Sequence, residues 1–108
     1  MDIYDYTTRG GKNVITNYID KLSAKERLEI YDIRQEIRKH GMDAFEKIDT
    51  RRLRGKLWEI RVSQTRIMYV IVDTNGVAFL HICKKQKGKA EKQELEKALE
   101  RAKRENLI

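Results

Sequence analysis

A chain of 108 residues with 24 Lys and Arg against 17 Asp and Glu has room for one domain with a real core, and not for two. Its hydrophobic residues, 40% of the total, fall in periodic runs unlike those of a disordered polycation, no apolar run approaches the ~20 residues of a membrane helix, and the opening MDIYDYTTRGG is no signal peptide. One cysteine excludes an internal disulfide, and with only two histidines beside it no structural zinc set remains, so the expectation is a cytoplasmic protein with no metal and no cofactor.

Ile3 to Thr8 alternates as a short first strand, ended by Gly10-Gly11. Val14, Ile15, Tyr18, Ile19 and Leu22 then recur at helical spacing on one face. Ser23-Ala24-Lys25-Glu26 has the form of a capping box: the Ser hydroxyl accepts from the Glu26 amide while the Glu26 carboxylate accepts from the Ser23 amide. The helix it opens carries Ile30, Ile33 and Ile37 in register, and ends at Gly41 after the basic turn Arg38-Lys39-His40. Residues 42–52 read as a connection that Phe45 and Ile48 pin to the core.

Three strands follow. Lys56 to Val62 alternates, with Trp58, Ile60 and Val62 facing the helices and Leu57, Glu59 and Arg61 facing away. Arg66 to Val72 is apolar on both faces, as a central strand is, and Val77 to Lys84 is largely apolar before breaking into Lys84-Lys85-Gln86-Lys87. Ser63-Gln64-Thr65 suits one hairpin. Asp73-Thr74-Asn75-Gly76 suits another, with Asn-Gly supplying the positive φ angles of a type I′ turn. Ala90 to Arg104 is a last helix with a narrow stripe of Leu95, Ala98, Leu99 and Ala102. The expected fold is α+β over residues 1–108: a small antiparallel sheet of a short first strand plus a three-strand meander, its helices (an N-terminal hairpin and a C-terminal helix) on one sheet face.

The charge is uneven. Residues 51–66 and 84–104 each carry an excess of five positive charges, whereas the first fifty residues sum to about −1. Such clustering attracts a polyanion, nucleic acid above all; a merely solvated charged face is the alternative. No phosphate loop or nucleophile motif is present. Cys83 reads as an inert strand cysteine and His81 as a core or core-edge residue. What remains is a set of cations at strand ends. In an antiparallel meander Arg61 and Arg66 share one turn, and residues 82–85 lie beside the start of the next strand, bringing Lys84 or Lys85 close to Arg66. Cations focused in this way can hold a phosphate and stabilise a phosphorane without a metal; edge-strand protection against aggregation would use the same residue types.

Leu53-Arg54-Gly55-Lys56-Leu57-Trp58-Glu59-Ile60-Arg61-Val62, then Thr65-Arg66-Ile67-Met68-Tyr69, then Leu80-His81-Ile82-Cys83-Lys84-Lys85-Gln86-Lys87 resembles the RelE/ParE superfamily, and more closely its phage-associated HigB-like branch. Gly11-Lys12-Asn13-Val14 and Tyr18 to Leu22 also match. The resemblance implies the toxin of a type II toxin–antitoxin system: a ribosome-dependent mRNA endoribonuclease that inhibits translation from the 30S A site. In such enzymes the ribose 2′-OH attacks the adjacent phosphate, metal-free, leaving a 2′,3′-cyclic phosphate and a 5′-OH. It also implies a cognate antitoxin protein as partner. Carried over, Arg66 matches the arginine on the scissile phosphate, Arg61 a basic residue of the preceding strand, and Lys84 or Lys85 the basic residue ending the last; Glu59 and His81 are candidates for the acid or base. Arg54, Lys56, Lys87, Lys89 and Lys92 are the expected RNA-binding residues. The chain departs from RelE in lacking a tyrosine after Lys87 and from the branch in its Ile82-Cys83 pair. The rival readings are a ParE-like, non-enzymatic poison of DNA gyrase and a nucleic-acid-binding regulator.

Overall fold

The computed structural model describes residues 1–108. In chain order it has β1 (Asp2–Asp5), α1 (Val14–Ile19), α2 (Ala24–His40), a 3-10 turn (Gly41–Glu46), β2 (Thr50–Arg54), β3 (Leu57–Val62), β4 (Thr65–Asp73), β5 (Gly76–Lys84) and α3 (Gly88–Arg104). The five strands form one sheet in the order β1-β5-β4-β3-β2. The sheet is mixed rather than antiparallel, because β1 runs parallel to β5 through Asp2↔Gly76 to Asp5↔Phe79. It also has one strand more than expected: Thr50–Arg54 pairs antiparallel with β3. That strand is hard to read in sequence because its outer edge is open and three of its five residues are solvated arginines. β4 is the central strand, as its apolar faces require.

The helices do not share a face. Ile15 and Ile19 of α1 and Ile30 and Ile37 of α2 pack on Ile60, Val62, Ile67, Tyr69, Val77, Phe79 and Ile82. On the opposite face Ala98 and Ala102 of α3 pack on Leu57, Met68, Val70, Ala78, Leu80 and Cys83. Small residues let α3 come close to the sheet, which is why its narrow stripe suffices. The sheet is thus covered on both sides, and β5 is buried at eight of its nine positions.

Several local expectations change. Asn13 caps α1 by accepting from the Ile15 and Thr16 amides, 3.0 Å each, and its amide donates to Asp5. Asp5 in turn accepts from Nη1 and Nη2 of Arg34, 2.8 Å each, a buried pair that ties β1 to α2. At Ser23 only half the capping box forms: the hydroxyl accepts from the Glu26 amide, but the Glu26 carboxylate accepts from Thr65 Oγ1 instead of reaching back to the Ser23 amide. The β4–β5 turn is not type I′, since neither Asn75 nor Gly76 has positive φ. Thr74 and Asn75 form the turn, the Asn75 amide donates to Asp73 Oδ1 at 2.8 Å, and Gly76 already belongs to β5. There the Tyr4 ring lies so close that a Cβ would meet Cε2 at 2.9 Å, so close packing rather than turn geometry explains the glycine. Trp58 lies on the same sheet face as Ile60 yet is 37% exposed. The helices stop short of it, and it borders a groove with Met42, Phe45, Tyr69 and Ile71 instead.

Candidate active site

β3 and β4 are joined by the two-residue Ser63-Gln64 loop, with Ser63 at φ 53°. This register sets Arg61 directly opposite Arg66. Arg66 in turn faces Cys83 across β4 and β5, and the Lys85 amide donates to Gln64 O at 2.7 Å, holding the end of β5 against the same turn. A groove of about 280 Å³ opens here on the α3 side of the sheet, floored by Met68 and Cys83. Arg51, Arg61, Arg66, Lys85 and Lys87 line it, together with Glu59, Glu91 and Glu94.

The cations are not equivalent. Arg61 places Nε and Nη2 on Asp49 Oδ1, at 3.1 and 2.8 Å. Arg51 is held by Glu59 at 2.8 Å and by Glu91 at 3.0 Å. Arg66 has no carboxylate partner; its Nη1 alone donates, to the carbonyls of Ser63 and Thr65. Lys85 and Lys87 are exposed and also unpaired with any acid. So Arg66 is the arginine in the groove whose fork has two nitrogens free for an anion, a geometry suited to a phosphate.

The floor is sealed by a network from α3. A bulge in β5, with Leu80 the extra residue between the pairs Met68↔His81 and Tyr69↔Phe79, turns Leu80 and His81 both toward α3. His81 Nε2 hydrogen-bonds the Glu94 carboxylate, and Arg101 Nη1 lies 3.1 Å from His81 Nδ1 while also donating to Leu80 O. A guanidinium has only donors, so Nδ1 is the acceptor and Nε2 carries the proton. Burial, opposed by Glu94, pulls the His81 pKa below its ordinary value and keeps the ring neutral. Burial, with Glu94 and Glu59 nearby, pushes the Cys83 thiol up to about 12, so it stays protonated and inert as expected. His81, Cys83 and Glu94 bring ligand atoms within 4.8 Å of one another; a metal on Nε2 would need the ring proton on Nδ1, where the Arg101 guanidinium lies 3.1 Å away.

The chain matches the phage-derived Gp49-like protein family (DUF891) over residues 17–103. It belongs to that family. No curated protein matches it. The matched region begins inside α1 and holds the whole groove, leaving β1 and the Asn13 cap outside.

In this Gp49-like chain the residues singled out from sequence divide into two groups. Arg61, Arg66, Lys85, Lys87 and Glu59 meet in the groove, and His81 lies beneath it. Lys84 does not join them: its register partner is Thr65, so it projects from the other sheet face. Arg54 and Lys56 sit at the β2–β3 turn, at the far end of β3, roughly 16 Å away at about 3.3 Å per residue. Lys89 and Lys92 are exposed on the first turns of α3 outside the groove. Sequence reasoning missed Arg51, Glu91 and Glu94. The acids share an i,i+3 face of α3, a signal that points into the groove only once α3 is known to cover that side of the sheet. No helix is long and apolar enough to cross a membrane.

Proposed function

We propose that this Gp49-like protein is the toxin of a type II toxin–antitoxin pair and cleaves mRNA on the ribosome. The observation that carries the reading is the groove itself: Arg66 with its free fork, beside Arg61, Lys85 and Lys87, over an inert apolar floor. A phosphodiester seated there meets Arg66 on its non-bridging oxygens, where charge grows as the phosphorane forms, so the contact strengthens in the transition state. The 2′-oxygen attacks phosphorus, the bond to the 5′-oxygen breaks, and the products are a 2′,3′-cyclic phosphate and a 5′-OH. The ribosome supplies the alignment of the 2′-OH with the scissile bond, a service that a shallow groove on a 108-residue chain does not provide by itself. An antitoxin segment that covers the basic groove silences it.

The test is the purified chain on programmed ribosomes, with mRNA 5′-ends mapped. Cleavage on the ribosome and none of naked mRNA is the expected result; efficient, codon-phased cutting of naked mRNA refutes ribosome dependence. A second reading draws on the apolar groove beside exposed Trp58 and Met42, a surface suited to protein contact of the gyrase-poison kind. Growth arrest with intact mRNA and double-strand DNA breaks decides for it.

A further inference from the structure

Three carboxylates reach the groove, and their partners separate them. Glu59 is 3% exposed and sits against Arg51 Nε. Glu91 is held by the same guanidinium. Glu59 is thus too enclosed to meet a substrate hydroxyl, and Glu91 already accepts from the Arg51 guanidinium through Oε1. Glu94 has no arginine partner. It accepts from the neutral His81 Nε2–H, stands against the Cys83 thiol, and its one Lys or Arg ion pair, with Lys97, is long at 4.0 Å. Its side chain keeps 21% of its surface open, so it is anchored on one side and reachable on the other.

The anchor is built in layers. Arg101 is fixed by the Leu80 carbonyl and by the face of the Tyr6 ring, 4.7 Å away. It fixes the His81 tautomer, and His81 fixes Glu94. A chain of donors ending in one carboxylate at a cationic groove is what a proton-abstracting group needs: a fixed orientation on one side and access from the groove on the other.

We propose that Glu94 is the general base of the groove, with His81 and Arg101 as the residues that position it. This rests on the ribonuclease reading above. The Glu94 carboxylate takes the proton of the attacking 2′-OH as the bond from the 2′-oxygen to phosphorus forms; Arg66 holds the phosphate oxygens, and the departing 5′-oxygen takes a proton from water. The ionisable groups around Glu94 are His81 and Cys83 on β5, Arg66 on β4, Glu59 on β3, Lys97 and Glu91 on α3, and Tyr18 of α1.

The test is single-turnover cleavage on saturating programmed ribosomes from pH 6 to 9. Glu94→Gln keeps an acceptor for His81 Nε2–H, so the fold is retained while the base is lost. The rate at neutral pH should fall by about 10²-fold or more, the range of a lost general base. The deficit should narrow toward pH 9 as hydroxide substitutes. Glu94→Asp should recover part of the rate, and His81→Phe should lower the rate with little change in ribosome affinity. If the unaltered chain cleaves and Glu94→Gln matches it in rate and pH profile, Glu94 is not the base while the ribonuclease reading stands. If the unaltered chain leaves mRNA intact, both fall together.

Discussion

Arg66→Ala separates chemistry from binding. The substitution removes a guanidinium that spends one nitrogen on two turn carbonyls, Ser63 O and Thr65 O at 3.0 Å each. It leaves no carboxylate unpaired. Ser63 is exposed at that turn, and water can replace the lost donor there, so the stability cost is about 0.5–1.5 kcal/mol. The catalytic cost is larger. Nε and Nη2 are free to take two phosphate oxygens, and deleting one such donor typically lowers the chemical step 10²–10³-fold, about 2.7–4 kcal/mol of transition-state stabilisation. Arg61→Ala should lose less, because Asp49 already engages its Nε and Nη2. Ribosome affinity should fall little in either variant, since the many other Lys and Arg side chains share the phosphate contacts. The assay is single-turnover cleavage at saturating programmed ribosomes, with affinity measured separately across a salt series. If Arg66→Ala cleaves at the wild-type rate once saturated, this strand end docks RNA and does no chemistry.

Arg34→Met strands Asp5 without its buried partner and should cost on the order of 3–5 kcal/mol in urea unfolding, whereas replacing both residues with apolar ones should recover most of it; a single-variant loss below about 1 kcal/mol contradicts that role. His81 titrates below its ordinary value of 6.5 because of burial, so the unfolded chain takes up its proton first. Its contribution is therefore complete above about pH 6.5 and shrinks as pH falls below that value; His81→Gln should flatten the stability change between pH 7.5 and 5.5, and an unchanged slope refutes this. Trp58→Ala should cost on the order of 1–2 kcal/mol, less than the 3–5 of a fully buried tryptophan, because the residue is already more than a third exposed; an unchanged melting temperature shows that the ring contributes nothing to the core.

Much of this protein is written in local pattern. Periodicity placed both long helices and the three strands of the meander, and the Arg61–Arg66 juxtaposition followed from one short turn, because hairpin register is a local property. The charge excess around residues 51–66 and 84–104 likewise required only counting. What the sequence left undecided depends on contacts between distant segments. Whether Trp58 is covered depends on how far α1 and α2 reach, and the parallel pairing of β1 joins it to β5, at the other end of the sheet-forming sequence, through Asp2↔Gly76 to Asp5↔Phe79. The base candidate is the clearest case. Strict alternation along β5 puts His81 on the face of Phe79, under α1 and α2. The Leu80 bulge reverses it toward α3, and only then do Arg101, His81 and Glu94 line up behind the groove. Alternation is set by the backbone of one strand, but a bulge is a mismatch between two, so no reading of either strand alone contains it.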